Sequence, residues 1–387
     1  EHGRAIGVET EHGDIRAGTV VICGGMWSWE LAATVGVDIP LHACEHFYIV
    51  TEPLPGNIRE LPVLRDYDAC AYCKEDAGKI LLGAIEPQAK PWGVNCIPES
   101  FCFDELAADF EHFQPILEMA MRRMPTLEKV GIQTFFCGPE SFTPDVRYHL
   151  GPAPALDNCY VAAGLNSIGI QSAGGIGKVL ADWIRDGYEP MDLWEVDVRR
   201  NLPFQNNRRY LHDRVSESLG LLYATHWPFR QYQTGRGVRR SAVHDRVAAA
   251  VGFFGQAFGW ERANWFAPTG VEARYVHSYG RENWFDHSSA EHRAVRNNVA
   301  LFDQSSFAKF RLQGRYAMSV LNRICANDID VANGRIVYTQ WLNDRAGIEA
   351  DLTITRLAEN DYLIVSSGET EVRDFHWLQQ HIPADSH

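Results

Sequence analysis

The sequence has 387 residues, which suffices for two or three domains at about 100 to 200 residues each. Its 50 Asp and Glu residues outnumber 36 Lys and Arg residues. The resulting formal net charge of −14 at pH 7 argues against non-specific electrostatic binding to nucleic acid or to an anionic membrane. Hydrophobic residues make up 45% of the chain, yet no apolar run approaches the roughly 18 residues that span a bilayer. We therefore expect a globular protein with neither a nucleic-acid nor a membrane partner.

The nine cysteines are scattered and odd in number, which argues against a disulfide framework and favours a reducing compartment. Cys70 and Cys73 form a single C-x-x-C motif. No second cysteine or histidine pair follows at zinc-ligand spacing, so two ordinary thiols are favoured over a zinc site. We predict no metal.

The chain opens with the pattern of a β-hairpin, whose turn is the segment 11–14. A short β-branched strand follows at 19–23 and runs into Gly24 and Gly25. No initiator Met and no signal sequence precede the hairpin, so we expect a truncated start.

Downstream of these glycines, strand and helix patterns mix, as in an α/β or α+β layered domain. A short helix is predicted at 27–35, and strands are predicted at 47–51 and 80–83. The segment 103–124 has helical periodicity, and Pro115 inside it should kink the helix.

A glycine-rich segment at 164–177 is the most informative local signal. A strand at 160–163 precedes it and a helix at 178–185 follows. A loop there would present free backbone N–H groups and a helix N-terminus to an anionic or electron-rich ligand. The alternative is close packing of the helix against the strand. No part of the chain matches G-x-G-x-x-G, so a complete dinucleotide fingerprint is missing.

The composition shifts towards Arg, Asn and His between 196 and 256. A connector packed against its neighbours is the favoured interpretation, and a basic ligand patch is the alternative. Several Trp residues then precede a helix at 292–299 and alternating strands, with a strand at 361–365 and a helix at 372–381 near the end. Since the chain stops soon afterwards, we expect its last domain to be incomplete. The predicted domains are 1–195, 196–256 and 257–387.

The common hydrolase and nucleotide-triphosphatase motifs G-x-S-x-G, P-loop and H-E-x-x-H do not occur. His46, just before the strand at 47–51, and Tyr72, after a turn-rich stretch, could each move a proton or hold a hydrogen bond. Asp351 lies in a turn that returns to a strand, where a carboxylate could accept a proton from a bound heterocycle. An ordinary structural role is the alternative for each of the three.

Six segments occur in a characteristic order. They are TVVICGGMWS at 19–28, HFYIVTEP at 46–53, LPVLRD at 61–66, CGPESFTPD at 137–145, GWER at 259–262 and FDQSSFAKF at 302–310. This ordered set resembles the flavoprotein family of dimethylglycine dehydrogenase, sarcosine dehydrogenase and dimethylglycine oxidase. The string GPESFTPD, and GWER followed by Trp265 and Phe266, are especially similar to the sarcosine and dimethylglycine members.

The resemblance implies α/β and α+β domains: the C-terminal half of a D-amino-acid-oxidase-like FAD domain, a small central domain, and the start of an aminomethyltransferase-like folate-binding domain. It also implies the reaction, in which an N-methyl amino acid such as sarcosine or dimethylglycine is oxidised and the one-carbon unit passes to tetrahydrofolate. FAD and tetrahydrofolate are the implied cofactors, and an electron-transfer flavoprotein is the implied electron acceptor.

The same resemblance implies roles for individual residues. His46 matches the active-site histidine beside the substrate amine, and Tyr72 matches a tyrosine that helps to orient the amine. The implied flavin-binding positions are Gly24, Gly25, Gly164, Ile168, Gly169, Gly174 and Gly175. Asp351 matches the folate-site carboxylate, and Tyr338 on the preceding strand lines the same pocket.

The chain departs from the family at its start, because the βαβ unit with G-x-G-x-x-G and the histidine that carries covalent FAD have no counterpart. We therefore expect a fragment that is inactive by itself, from the bacterial cytoplasm or a eukaryotic mitochondrial matrix. A folate-binding one-carbon module, or a non-catalytic scaffold with a vestigial flavin domain, is the alternative function. Sarcosine and dimethylglycine both stay open as substrates, and the resemblance favours a dehydrogenase over an oxidase.

Overall fold

The computed structural model describes residues 3–56 and 60–383. The chain forms two compact units, the first made of residues 1–198 and 203–235 and the second of residues 199–202 and 236–387. The three predicted domains stay a prediction. Among the described residues, no helix is long and apolar enough to cross a membrane.

The first unit mixes strands and helices. Its described strands are β1 Gly7–Val8, β2 Ile15–Arg16, β3 Val20–Ile22, β4 His42–Thr51, β5 Leu64–Asp66, β6 Ala71–Asp76, β7 Lys79–Ala84, β8 Ile132–Phe142, β9 His149–Pro152 and β10 Cys159–Ala163. Its described α-helices are α1 Ser28–Ala33, α2 Phe110–Arg123, α3 Gly169–Asp186 and α4 Arg208–Gly220. The predicted first hairpin is confirmed, since β1 and β2 pair antiparallel. The strand predicted at 47–51 begins earlier, at His42, so His46 lies inside it.

Strands β3, β10 and β9 form a three-stranded sheet, in which β10 runs parallel to β3 and antiparallel to β9. Its core consists of buried apolar side chains such as Ile22, Ile39 and Val161. Because β3 and β10 are parallel neighbours, their carboxyl ends meet at one edge of the sheet. Gly24 and Gly164 follow those ends and therefore lie at the edge where α/β sheets bind ligands.

A second sheet of the first unit is antiparallel, with the strand order β5-β6-β7-β4-β8. Helix α2 covers one of its faces, where Phe113 and Ile116 pack with Phe47 and Ile49 of β4. Burying each such side chain contributes roughly 1.5 to 3 kcal/mol, which fixes this face against the helix. Side chains alternate along a strand, so His46 lies on the opposite face.

Helix α2 begins later than its periodicity predicts. The carboxylate of Asp109 caps the helix by accepting a hydrogen bond from the backbone N–H of His112 at 3.0 Å. Lys90 Nζ lies 2.7 Å from the same carboxylate and holds it in place. Residues 103–109 are therefore outside the helix, and the predicted start at 103 is wrong. Pro115 lies inside the helix, as predicted.

The second unit is built around an antiparallel sheet. Its described strands are β11 Gly252–Ala257, β12 Trp260–Phe266, β13 Ala308–Gln313, β14 Ile336–Leu342, β15 Ile348–Ala358 and β16 Asp361–Ser366, and its described α-helices are α5 His244–Ala249, α6 Phe285–Asn297, α7 Ala317–Ile324 and α8 Glu371–His381. Strands β11 and β12 form a hairpin, and the other four form a sheet in the order β13-β16-β15-β14 around buried Leu321, Trp341 and Tyr362. The strand predicted at 361–365 and the helix at 372–381 are confirmed.

Candidate functional site

Helix α3 begins at Gly169, so the prediction that this helix starts at residue 178 is wrong. Ile176, Leu180 and Trp183 follow helical spacing and are buried, the first two in a cluster with side chains of β9 and β10. This packing outweighs the roughly 1 kcal/mol by which each glycine disfavours a helix interior.

Two predicted flavin-binding residues, Gly174 and Gly175, lie inside α3. A backbone N–H in a helix interior bonds to the carbonyl four residues earlier, so neither glycine presents a free loop amide and that expected mode of binding is wrong. Both glycines are exposed, and among the described residues nothing lies within 4 Å of a Cβ added at either position. That Gly174 and Gly175 contact the flavin through the exposed surface of the helix stays a prediction.

The loop before α3 has a strained backbone that side chains support. Gly164 has a φ of +66°, and the non-glycine residues Asn166 and Ser167 have φ values of 49° and 65°. Asn166 is 3% exposed, and its side-chain N–H donates to the carbonyl of Gly164 at 2.7 Å. The side-chain oxygen of Asn166 accepts from the backbone N–H of Thr143 at 2.9 Å. A strained backbone conformation persists where surrounding contacts hold it in place, as the Asn166 hydrogen bonds do here. Such conformations are common at ligand-binding sites.

The first turn of α3 is open to a ligand. Its N-cap, Ile168, makes no side-chain capping bond, and the first turn contains no acidic residue. The N–H of Ser172 bonds to the carbonyl of Ile168 at 3.1 Å, and the N–H groups ahead of it, from Gly169 onward, have no intrahelical partner. Together with the strand-end glycines, these amides fit the electron-rich edge of a flavin ring. The predicted flavin-binding residues at this edge are Gly24, Gly25, Gly164, Ile168 and Gly169.

The face of the large sheet opposite α2 includes the aromatic side chains of His46, Tyr48, Tyr72 and Phe136, and we call these four the aromatic platform. Directly opposed residues of an antiparallel sheet share a face. The register pairs Tyr48 with Phe136 and with Gly83, and Gly83 with Tyr72. His46 lies two residues before Tyr48 and so shares this face. Strand pairing thus brings together the two residues predicted to be catalytic, His46 and Tyr72.

A glycine makes room for the platform. A Cβ at Gly83 would lie 2.0 Å from Cζ of Tyr72, so the tyrosine ring can lie over β7 only because this position has no side chain. The rings of His46 and Tyr72 are within 15° of parallel with centroids 6.4 Å apart, and those of Tyr48 and Phe136 are within 25° with centroids 4.7 Å apart. The platform therefore includes the π faces of Tyr48, Tyr72 and Phe136, which suit a small amine cation.

His46 and Glu86 form a buried pair beside the platform. His46 is 5% exposed and Glu86 is 1% exposed, and Nδ1 of His46 lies 3.6 Å from Oε2 of Glu86. Among the described residues, neither side chain has a hydrogen-bond partner, which is costly for buried polar groups and marks a place for a ligand or water. Burial alone would lower the pKa of His46, but the carboxylates of Glu86 and Glu140 outweigh it and raise the pKa.

Tyr72 stays protonated at physiological pH, because burial raises the pKa of its phenol and the carboxylates of Glu140 and Glu86 raise it further. A neutral phenol can donate a hydrogen bond to a ligand. Glu86, Glu140 and Asn166 were not predicted as site residues. The available signal for Glu86 was a carboxylate directly after an apolar strand, since such a group is rarely buried without a partner.

In the second unit, Asp351 on β15 lies opposite Gln340 on β14. The hydroxyl of Tyr338 donates to Oδ2 of Asp351 at 2.9 Å, and the side-chain N–H of Gln340 donates to Oδ1 at 3.0 Å. The hydrogen bond to Asp351 raises the pKa of Tyr338, because the neutral phenol makes it. The structure brings Tyr338 and Asp351 together on adjacent strands, and the predicted turn that returns to a strand is confirmed, with Asp351 in the strand. Gln340 was not predicted.

The cysteines show no metal-binding arrangement in the described ranges. All nine are free thiols, and Cys73 of the C-x-x-C motif is buried on β6. Within residues 3–56 and 60–383, no group of three or more His, Cys, Asp or Glu side chains is placed to hold a metal ion.

Three protein families match consecutive parts of the chain. The family described as FAD dependent oxidoreductase matches residues 1–183, and the FAD dependent oxidoreductase central domain matches residues 186–241. The GCVT N-terminal domain matches residues 243–387.

Curated relatives match almost the full chain. 4-Methylaminobutanoate oxidase (formaldehyde-forming) of Paenarthrobacter nicotinovorans is 44% identical over 97% of this chain and 45% of its own length. The mitochondrial pyruvate dehydrogenase phosphatase regulatory subunit of Mus musculus is 35% identical over 99% of this chain and 44% of its own length. The mitochondrial sarcosine dehydrogenase of Homo sapiens is 34% identical over 92% of this chain and 41% of its own length. The chain thus spans less than half the length of each of these relatives.

The matched families confirm the predicted fold class, in which an FAD domain and a small central domain precede an aminomethyltransferase-like domain. Dimethylglycine dehydrogenase also matches, at 31% identity over 96% of this chain. The order of the domains and the relatives together confirm the predicted resemblance of this chain to the family of dimethylglycine dehydrogenase and sarcosine dehydrogenase.

Proposed function

We propose that the protein containing this chain oxidises the N-methyl group of an amino acid and passes the one-carbon unit to tetrahydrofolate. The observation that carries the proposal is the buried His46–Glu86 pair beside the aromatic platform. Relatives named sarcosine dehydrogenase and 4-methylaminobutanoate oxidase support the substrate class. FAD, when bound, supplies the acceptor for the hydride that leaves the N-methyl group.

The residues of the chain orient the amine and keep water away from it. The aromatic platform covers one side of the substrate, and its π faces attract an alkylammonium group. Tyr72 donates a hydrogen bond, and His46 faces the amine nitrogen, so the amine is held in one orientation. The N–H groups at the start of α3, from Gly169, stabilise negative charge on the ligand group that they face.

Anaerobic mixing with N-methyl amino acids tests the oxidation step. The natural protein, expressed from its complete coding sequence, is mixed with sarcosine, N,N-dimethylglycine or 4-methylaminobutanoate while flavin absorbance is followed. We expect at least one substrate to bleach the flavin, and His46→Asn to slow bleaching by about 10²-fold or more. His12→Asn, on the exposed turn of the first hairpin, is the matched control and leaves the rate unchanged. A flavin that stays oxidised with the whole panel contradicts the proposal.

We further propose that the second unit binds tetrahydrofolate at Asp351. When the one-carbon unit becomes attached to a folate nitrogen, the demethylated amine leaves and that nitrogen loses a proton. Tyr338 and Gln340 hold the Asp351 carboxylate in position to accept this proton.

Product analysis tests the folate step separately. With tetrahydrofolate present, Asp351→Asn should release more free formaldehyde than wild type and form less methylenetetrahydrofolate, while the rate of flavin bleaching stays the same. Asp344→Asn, on the exposed turn between β14 and β15, is the control. Equal product ratios in wild type and Asp351→Asn contradict this role.

We also propose an electron-transfer flavoprotein as the electron acceptor of the reduced flavin. Rapid turnover with O₂ alone would argue for an oxidase instead.

A non-catalytic function is the second candidate. It is favoured by the relative named as a phosphatase regulatory subunit, which is 35% identical over nearly the whole chain. A folate-binding module or scaffold would bind tetrahydrofolate in calorimetry through the Asp351 site, yet its flavin would not bleach with any N-methyl amino acid. The two measurements together separate the candidates.

A further inference from the structure

We infer that Glu86 is the positioning residue of the amine site: it orients the His46 imidazole so that Nε2 accepts the proton of a bound alkylammonium substrate. This inference rests on the proposed function and adds a residue to it. The residues predicted from the sequence do not include Glu86.

Glu86 is held in the interior by the chain on either side of it. It follows β7, whose Leu82 and Ala84 are buried, and its neighbour Ile85 packs in an apolar cluster with Val215 and Leu219 of α4. A carboxylate at 1% exposure in such surroundings is strongly destabilising unless it is paired. Among the described residues, its ion-pair partner is His46, at 3.6 Å.

The ring nitrogen of His46 that lies beside Glu86 is Nδ1, at 3.6 Å from Oε2, which is an ion-pair distance and longer than a hydrogen bond. Because the negative charge of the carboxylate favours a proton on the nearer nitrogen, we expect neutral His46 to carry its proton on Nδ1 and its lone pair on Nε2. Nε2 is buried and has no hydrogen-bond partner among the described residues. It is therefore available to accept a proton from a ligand, as the carboxylate-oriented histidine of a Ser-His-Asp triad does.

The proposed step moves one proton. The N–H bond of the substrate ammonium breaks, an Nε2–H bond forms, and the nitrogen keeps its electron pair. His46 becomes an imidazolium that the Glu86 carboxylate stabilises. The neutral amine now has the lone pair that oxidation of its methyl group requires. Among the described residues, the other ionisable groups that interact electrostatically with the pair include Glu140 and Cys137 of β8, Tyr72 of β6, Cys44 of β4 and Cys70 just before β6.

Glu86→Gln tests the inference by rate and by pH. It keeps the shape of the side chain and removes its charge. In the natural holoprotein, we expect the limiting rate of anaerobic flavin reduction to fall by about 10- to 100-fold, the range known for partners that orient metal-ligating histidines. The acidic limb of the rate-against-pH profile should shift to lower pH, because the imidazolium loses its carboxylate. Glu86→Asp should restore part of the rate. Glu45→Gln is the matched control, because Glu45 lies beside Lys90 on the face of β4 that α2 covers. It should leave the limiting rate of flavin reduction and the pH profile unchanged.

A measurement without substrate keeps this test independent of the proposed function. In the ¹⁵N spectrum of histidine-labelled protein, the neutral His46 ring should carry its proton on Nδ1 in wild type, and Glu86→Gln should abolish that preference. A wild-type ring protonated on Nε2, or a Glu86→Gln protein with unchanged rate and pH profile, overturns the inference. If the spectrum is as expected but no N-methyl amino acid reduces the flavin of wild type, the proposed substrate class fails while the orientation of His46 by Glu86 stands.

Discussion

Replacing Gly83 by alanine tests whether the Tyr72 ring lies over β7. The new Cβ would be 2.0 Å from Cζ and 2.2 Å from the hydroxyl oxygen of Tyr72, whereas ordinary contacts of a Cβ are 3.4–4 Å. The φ of Gly83 is not in the left-handed region, so alanine fits the backbone. The cost therefore comes from displacing the ring.

Overpacking of this kind costs about 1 to 3 kcal/mol, and the less flexible unfolded chain offsets about 0.4 to 1 kcal/mol of it. A net loss of about 1 to 2 kcal/mol lowers Tm by about 2 to 8 °C in a unit of this size. The displaced Tyr72 ring also leaves its place beside His46. We therefore expect flavin reduction by the substrate to slow at temperatures where the Gly83→Ala protein is fully folded.

Thermal unfolding followed by circular dichroism measures the first effect, and stopped-flow bleaching of the flavin measures the second. Gly18→Ala is the matched control, because nothing lies within 4 Å of a Cβ there among the described residues, and its Tm should equal or slightly exceed that of wild type. In a Tyr72→Ala background, Gly83→Ala should no longer destabilise the protein. A Gly83→Ala protein with wild-type Tm and wild-type rate refutes the placement of the ring.

Two other variants probe one buried contact in each unit. Asn166→Ala leaves the buried N–H of Thr143 without its acceptor, and should lower the free energy of unfolding in urea by about 1 to 3 kcal/mol. Asn166→Gly tolerates the positive φ but also lacks the side chain. A similar loss of stability in Asn166→Gly would show that the side-chain hydrogen bonds matter more than the backbone φ. Glu261→Gln weakens a partly buried pair in which Arg236 Nε donates to the Glu261 carboxylate at 2.9 Å, and should cost about 1 to 3 kcal/mol. Burial alone would raise the pKa of Glu261, but Arg236 and the N–H of Gly237 outweigh it and lower the pKa. The pair therefore stabilises the fold above the unfolded pKa of about 4.5, and this contribution is lost as the pH falls through the folded value. Acid titrations of unfolding should show that loss in wild type and not in Glu261→Gln, and parallel titrations would contradict it.

Elements with strong local patterns could be predicted from the sequence. The strand before Gly24, the strand Asp361–Ser366 and the helix Glu371–His381 each combine a clear period with turn residues a few positions away. The family resemblance, rather than a local pattern, implied that Tyr338 and Asp351 share a pocket, and they meet because they lie on strands joined by a short turn. Such features depend on neighbours along the chain, which the sequence contains directly.

The start of α3 and the His46–Glu86 pair depend on the tertiary structure instead. Glycine spacing alone favoured a long loop, but burial of Ile176 and Leu180 makes the helix begin at Gly169. His46 and Glu86 meet because β4 pairs with β7, and periodicity does not specify which strands pair or in which register. By itself, the sequence indicated the family resemblance, many of the elements, and His46, Tyr72 and Asp351 as candidates for chemistry. Only the packing of distant segments decided which of these groups are buried together. Burial removes water from the His46 imidazole and the Glu86 carboxylate, so that each strongly affects the charge and orientation of the other.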